Sequence, residues 1–261
     1  MISIDPKIKG NLYIFKQFDQ SNHSLYLAPA INFFTDCVHL GIVSGTGAGK
    51  SIVVKLIFTT MARNSAYQDT ELIILDPKNF EYRQFGVLPN VFLGEKVIDG
   101  LDYIYERFEN RLSGKEPSTN LLCVLVEEYS ALLLHYDKKT QDIIKGKIAR
   151  ILMLSRALNL RCIFVMQRFD SIFFSNGARD NITTRLSLGA ISKESQRMLF
   201  PDNVIDPMPK RQGYLYLDGK GIFKVVIPTI TKFKKLDDDL GRFLERNNHR
   251  KYWRNHYEAN E

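Results

Sequence analysis

Residues 38–51 read VHLGIVSGTGAGKS and residues 52–57 continue as IVVKLI. The apolar run Val38 to Val43 predicts a buried strand, and the second run, Ile52 to Ile57, predicts a helix packed on a sheet. Between them, Gly45, Gly47 and Gly49 allow backbone N–H groups to turn inward around phosphate oxygens, and the helix start adds its partial positive charge. Strand, glycine loop and helix in that order, closed by Gly-Lys-Ser, predict a nucleotide cradle of Gly45, Thr46, Gly47, Ala48, Gly49, Lys50 and Ser51. Lys50 is expected to reach the β- and γ-phosphates of ATP, and the Ser51 hydroxyl to ligate Mg²⁺. The pattern GxxxxGK[ST] has glycine where this chain has Ser44; Gly45 and Gly47 still leave the loop flexible.

A chain of 261 residues, 44% of them hydrophobic, can bury one large core with small terminal additions. Lys and Arg number 36 against 29 Asp and Glu, a net charge of +7 that is compatible with a polyanionic partner without establishing one. Cys37, Cys123 and Cys162 are odd in number and lack paired spacing, as expected of reduced thiols in a cytoplasmic protein. No run of eighteen apolar residues and no charged leader followed by an apolar stretch occurs, so neither a membrane span nor a signal peptide is expected.

Along the chain, Leu12 to Phe18 and Leu25 to Phe34 predict short strands around a turn at Gln20-Ser21-Asn22. Glu71 to Asp76 is a buried strand stopped by Pro77, and Glu95 to Leu112 an amphipathic helix. Leu121 to Val126 is a third strand, which delivers Glu127 and Glu128 at its carboxyl end beside the phosphate loop. Lys139 to Leu158 reads as a long helix, Arg161 to Met166 as a fourth strand ending in Gln167-Arg168, and Thr184 to Gly189 as a fifth. Gly213 to Leu217 and Ile222 to Ile227, around Asp218-Gly219-Lys220-Gly221, predict a hairpin that closes the sheet. The segment Leu236 to Glu261 predicts a helix with no evident partner. The expected division is a β lead-in over 1–36, an ATPase domain over 37–230 and a basic helical tail over 231–261.

Several separate motifs then occur in one order. Val38-His39-Leu40 leads into the glycine loop, Leu75-Asp76-Pro77-Lys78 follows, and Ser155-Arg156-Ala157 precedes Val165-Met166-Gln167-Arg168. Asn181-Ile182-Thr183-Thr184-Arg185 and Ser192-Lys193-Glu194-Ser195-Gln196-Arg197 come last. In these motifs, over residues 38 to 228, the chain resembles DNA translocases of the FtsK/SpoIIIE type, and the eleven-residue interval from Arg156 to Gln167 is similar to that of conjugative coupling proteins. The family's acidic strand ends in Asp-Glu where this chain has Glu127-Glu128, and the family's membrane segment and winged helix have no counterpart, so the chain looks like a bare motor.

The resemblance implies an α/β, RecA-like P-loop NTPase fold, a mainly parallel sheet with helices on both faces, and ATP with Mg²⁺ as cofactors. It implies that Glu127, with Ser51, holds the metal, that Glu128 polarises the attacking water and that Gln167 senses the γ-phosphate. A plainer alternative is two solvent-facing carboxylates and a capping amide. A motor that hydrolyses ATP between subunits of a hexameric ring needs a cation reaching across the interface; Arg156 is the first choice and Arg185 the second, either being equally readable as a surface ion pair. Double-stranded DNA contacts are expected from the loops Tyr129 to Gln141 and Arg168 to Asn181, through Lys138, Lys139, Arg168 and Arg179, without sequence preference. The basic tail, with Arg242, Arg246, Arg250, Lys251 and Arg254, adds DNA affinity or docks a neighbouring subunit. The expected function is ATP-driven DNA translocation in conjugative or mobile-element transfer, recruited by a relaxase, secretion or nuclease component. The alternatives are a HerA-like motor partnered with a nuclease and an ATP-gated DNA-binding module that does not cycle.

Overall fold

The computed structural model describes residues 9–19, 24–175, 177–200 and 205–246. Its sheet has ten strands, which in chain order are β1 (Lys16–Asp19), β2 (Ser24–Leu27), β3 (Leu40–Ser44), β4 (Glu71–Asp76), β5 (Val91–Leu93), β6 (Leu122–Val126), β7 (Leu160–Met166), β8 (Thr184–Leu188), β9 (Gln212–Leu217) and β10 (Gly221–Val226). Across the sheet they run β2-β1-β10-β9-β8-β3-β7-β6-β4-β5. From β8 to β5 all neighbours are parallel, and from β8 outward to β2 all are antiparallel.

A parallel strand buried on both faces reads as a continuous apolar run, and β3, β4, β6 and β7 are buried at every position. Alternate side chains nevertheless enter two different cores, as the two-residue period requires. Leu72, Ile74, Cys123, Leu125, Ile163 and Val165 meet α1 (Lys50–Arg63) and α6 (Phe233–Arg246) on one face. Ile73, Leu75, Val124, Val126, Cys162 and Phe164 meet α2 (Val97–Leu112), α3 (Tyr129–Leu134) and α4 (Lys138–Leu154) on the other. The expected α/β P-loop architecture, with helices on both faces, is therefore present.

Several local expectations change. Ala28-Pro29-Ala30 cuts the second lead-in strand short, leaving only an isolated bridge from Leu12 to Ile31. The terminal hairpin does not close the sheet, because β1 pairs Lys16 with Val226 of β10 and β2 follows it. The three-residue β5 is too short for a periodicity to register. The segment Tyr129 to Gln141, expected as a loop, is α3 followed by the first turn of α4, which is capped by Asp137 accepting the Thr140 N–H at 2.8 Å. A seven-residue helix, α5 (Lys193–Leu199), lies where only a motif was noted, and Ser192 caps it through the Ser195 N–H. The turn at Gln20-Ser21-Asn22 and the tail beyond Arg246 lie outside the described residues.

The predicted C-terminal helix does have a partner. α6 packs along α1 and buries Leu236, Leu240, Phe243 and Leu244 in the core. Asp239 accepts hydrogen bonds from Arg63 and Arg242, Lys55 pairs with Asp237 at 2.8 Å, and Asn90 donates to Leu244 O at 3.1 Å. Deleting the Phe243 ring removes a fully buried side chain, so Phe243→Ala is expected to cost about 3–4 kcal/mol in urea denaturation. Phe233→Ala, at a site 52% exposed, should stay within about 0.5 kcal/mol.

Candidate active site

The carboxyl ends of β3, β4, β6 and β7 bring together the glycine loop, Asp76, Glu127-Glu128 and Gln167. In the loop, Gly47 (φ 73°) and Gly49 (φ 112°) hold left-handed backbone, and a Cβ on Gly49 would lie 2.8 Å from Ile227 Cδ1. No side chain caps the start of α1, so its first N–H groups are left for an anion. Ser44, at the pattern's missing glycine, needs no positive φ; it is fully buried and its hydroxyl donates to Gly45 O at 2.9 Å. Lys50 Nζ folds back over the loop and donates to Ser44 O at 2.8 Å and Gly45 O at 3.3 Å. Partial burial pulls the Lys50 pKa down, while Glu128 and Glu127 push it back up.

Asp76 is fully buried and accepts N–H groups from Lys78 (3.2 Å), Phe80 (3.0 Å) and Tyr82 (3.1 Å). It shapes the turn after β4 so that Lys78 Nζ comes within 3.3 Å of Glu128 Oε2. Glu128 heads α3 in a left-handed conformation (φ 46°, ψ 60°) that a side chain rarely adopts. It also accepts from Gln167 Nε2 at 3.3 Å and, on its other oxygen, from Ser130 Oγ at 3.1 Å. The expected pair Glu128 and Gln167 is therefore in direct contact. Lys78 and Ser130 were not singled out for the site: Lys78 was visible only as the end of a motif, and Ser130 carried no signal.

Glu127 is 5% exposed, and its Oε2 has no hydrogen-bond partner among the described residues. Burial, then the neighbouring Asp76, Glu81 and Glu128, push its pKa up to about 8, with Lys50 opposing. A buried, unpaired carboxylate oxygen facing a phosphate loop fits a divalent cation. Among the described residues no cluster of three or more His, Cys, Asp or Glu forms a metal cage, and Mg²⁺ in a nucleotide site needs none, because phosphates and water complete its octahedron.

The candidate arginines lie at the opposite end of the sheet. Arg156 is exposed on a 3-10 turn (Ser155–Leu158) just before β7, whereas Gln167 follows the end of β7. Seven residues of strand at roughly 3.3 Å each separate them by on the order of 20 Å. Arg185 starts from the same far end, but its guanidinium donates to Ile182 O (2.9 Å) and Leu199 O (3.0 Å) and lies 5.4 Å from the Tyr216 ring. Of the candidate DNA contacts, Lys138, Lys139 and Arg168 are exposed, Lys138 pairs with Asp142 at 3.0 Å, and Arg179 is half-buried near Asp180. The chain after Arg168 is fastened beside α3 by Phe174, whose ring centroid lies 5.4 Å from that of Tyr129 and, edge to face, 5.8 Å from that of Phe164.

Residues 37–128 match the family model described as DUF87, the central domain of helicase HerA. The chain is 21% identical over 209 residues to the DNA translocase FtsK of Halalkalibacterium halodurans, covering 69% of this chain and 26% of that protein. It thus spans about a quarter of the length of the curated relatives it matches. Among solved structures, EssC (ATPases 2 and 3) of Geobacillus thermodenitrificans superposes with a TM-score of 0.69 at 14% identity, covering 96% of this chain and 50% of that one. The pCW3 conjugation coupling protein TcpA, in its monomer form with ATPγS, gives 0.66 at 16% identity, with 90% and 72% covered. In sequence motifs and fold the chain is similar to ATPase domains of the HerA/FtsK type.

The raised Glu127 pKa has a sign that can be measured. The folded protein without nucleotide or metal holds a proton on Glu127 that the unfolded chain releases above about pH 4.5. Stability from this group is present below that pH and is lost as pH rises through about 8. Glu127→Gln should flatten this part of the slope and leave the variant more stable relative to wild type at pH 8 than at pH 5.5, as read by denaturant titration in chelator.

Proposed function

We propose that this chain is the ATPase motor of a double-stranded DNA translocase serving conjugative or mobile-element transfer, working in the cytoplasm as a homo-oligomeric ring. The observation that carries the reading is the meeting of Lys50, Glu127, whose Oε2 has no hydrogen-bond partner among the described residues, and the thrice-held Glu128 at one end of the sheet. The FtsK and TcpA resemblances point the same way.

In this reading the loop N–H groups and Lys50 bind the phosphates, and Ser51 and Glu127 hold Mg²⁺, which would neutralise charge developing on the phosphate oxygens. Glu128 orients the attacking water as base, with Gln167 and Lys78 fixing its carboxylate. Arg156 is too far from its own loop to act there, so it serves the nucleotide of a neighbouring copy, the six-membered ring being the expected assembly. Lys138, Lys139 and Arg168 neutralise DNA phosphates without reading bases. Two further readings have an observation each. The HerA match favours a motor partnered with a nuclease, which copurification of that protein distinguishes. Glu127 in place of aspartate favours an ATP-gated module, whose wild type would not hydrolyse ATP while Glu127→Asp gains turnover.

ATP turnover with and without double-stranded DNA, on protein sized by light scattering, tests the motor. DNA should stimulate hydrolysis and a bound obstacle should be displaced; turnover indifferent to DNA with no displacement overturns the reading. Glu128→Gln should bind ATP and lose at least about a hundredfold in kcat. Arg156→Ala should also bind ATP and lack turnover, and mixing it with Lys50→Ala subunits should restore part of the activity through intact mixed interfaces.

A further inference from the structure

The phosphate loop has a second cation beside it, on a segment far away in sequence. Residues Pro209 to Gln212 form a turn closed by the Gln212 N–H on Pro209 O (3.2 Å), and this turn is bonded directly to the loop, the Arg211 N–H donating to Ala48 O at 3.2 Å. Arg211 is one of four non-glycine residues with positive φ among the described residues, at 68°. It is held there by its own guanidinium on Pro228 O (2.7 Å) and by the Ile227 N–H on its carbonyl (2.8 Å). A side chain in left-handed backbone is disfavoured, so the surrounding bonds must impose it. The consequence of this twist is the position of Lys210. Its Nζ stands 3.9 Å from where a Cβ on Gly47 would sit, and it is exposed, with no ion pair or hydrogen bond of its side chain among the described residues.

We propose that Lys210 is a nucleotide-binding residue that grips the α/β end of the phosphate chain, as a second cation besides Lys50. This inference rests on the reading of the loop as an ATP site. Lys50 lies over the carbonyls of Ser44 and Gly45, where the strand enters the loop, which is the approach to the β- and γ-phosphates. Gly47, in left-handed backbone, belongs to the glycine loop whose backbone N–H groups cradle the α- and β-phosphates. An ammonium with no side-chain partner among the described residues, a side chain's reach from Gly47, adds to the neutralisation of the anhydride. The turn that carries it is bonded to the loop at Ala48, which fixes where its side chain starts.

The test is the affinity of the full chain for ATP and for ADP, by calorimetric titration of wild type, Lys210→Ala, Lys210→Arg and Lys50→Ala. Lys210→Ala should weaken both nucleotides by a similar factor, about five- to tenfold for one charge-assisted contact at an exposed site. Lys210→Arg should stay within about twofold of wild type, and the melting temperature without nucleotide should not change. At fixed ADP, the nucleotide-induced rise in melting temperature should shrink in Lys210→Ala. Unchanged affinities in Lys210→Ala alongside a wild type that binds overturn the assignment, and so does a loss confined to ATP, which would put the ammonium on the γ-phosphate. A wild type that binds neither nucleotide, matching Lys50→Ala, overturns the ATP reading itself.

Discussion

The nucleotide end of this sheet is governed by the need to hold three carboxylates, Asp76, Glu127 and Glu128, where almost no water reaches them. A buried carboxylate is costly unless it finds donors or a cation, and the three find different solutions. Asp76 takes three backbone N–H groups and becomes structural. Glu128 takes an ammonium, an amide and a hydroxyl, which fix its direction. Glu127 has an oxygen with no partner among the described residues, and its own proton answers the burial. Three buried carboxyl groups and the start of α1, whose first N–H groups no side chain caps, thus share one end of the sheet.

How much of this the sequence displayed depends on the length scale of each feature. The core strands were legible because burial on both faces leaves only apolar residues, as in Leu72 to Leu75 and Leu122 to Val126. The glycine loop and the carboxylates at the end of β6 were legible because they follow from strand polarity and local spacing. What the sequence hid depends on contacts between distant segments. Nothing local in Phe18 or Leu25 announces that their hairpin joins β10, and α6 acquires its partner only when Leu240 and Phe243 meet α1. Lys78 was quoted as part of a motif, yet its ion pair with Glu128 depends on how Asp76 folds the intervening turn. The helix α3 was missed because six residues are too few for a period to show.

The sheet also keeps two groups of charges a strand's length apart. The carboxyl ends carry the loop and its acids, and the amino ends carry Arg156 on a turn whose carbonyls accept from the buried Arg161 guanidinium, at 3.3 Å for Ser155 and 3.1 Å for Arg156. The other end of that turn is bonded by Arg111, which donates to Leu158 O at 2.9 Å and Asn159 O at 3.3 Å. Two buried guanidiniums therefore grip the backbone beneath an exposed third. The rigidity belongs to the turn, and the freedom is left to one side chain.

The register of Lys16 against Val226 joins positions 210 residues apart. Pairs so remote close slowly, because the loop-closure entropy has to be met before the contact returns anything. During synthesis the lead-in hairpin emerges before β10, the strand that β1 pairs with, has left the ribosome. β2, with Leu25, Tyr26 and Leu27 all outward, spends that interval as half of a two-stranded ribbon, a form marginal in water and open to pairing with other chains. The parallel half, β3 to β8, is complete before β9 appears, so the phosphate loop exists before the turn at Arg211 and the side chain of Ile227 arrive to brace it. In this chain the nucleotide end is framed early and braced late.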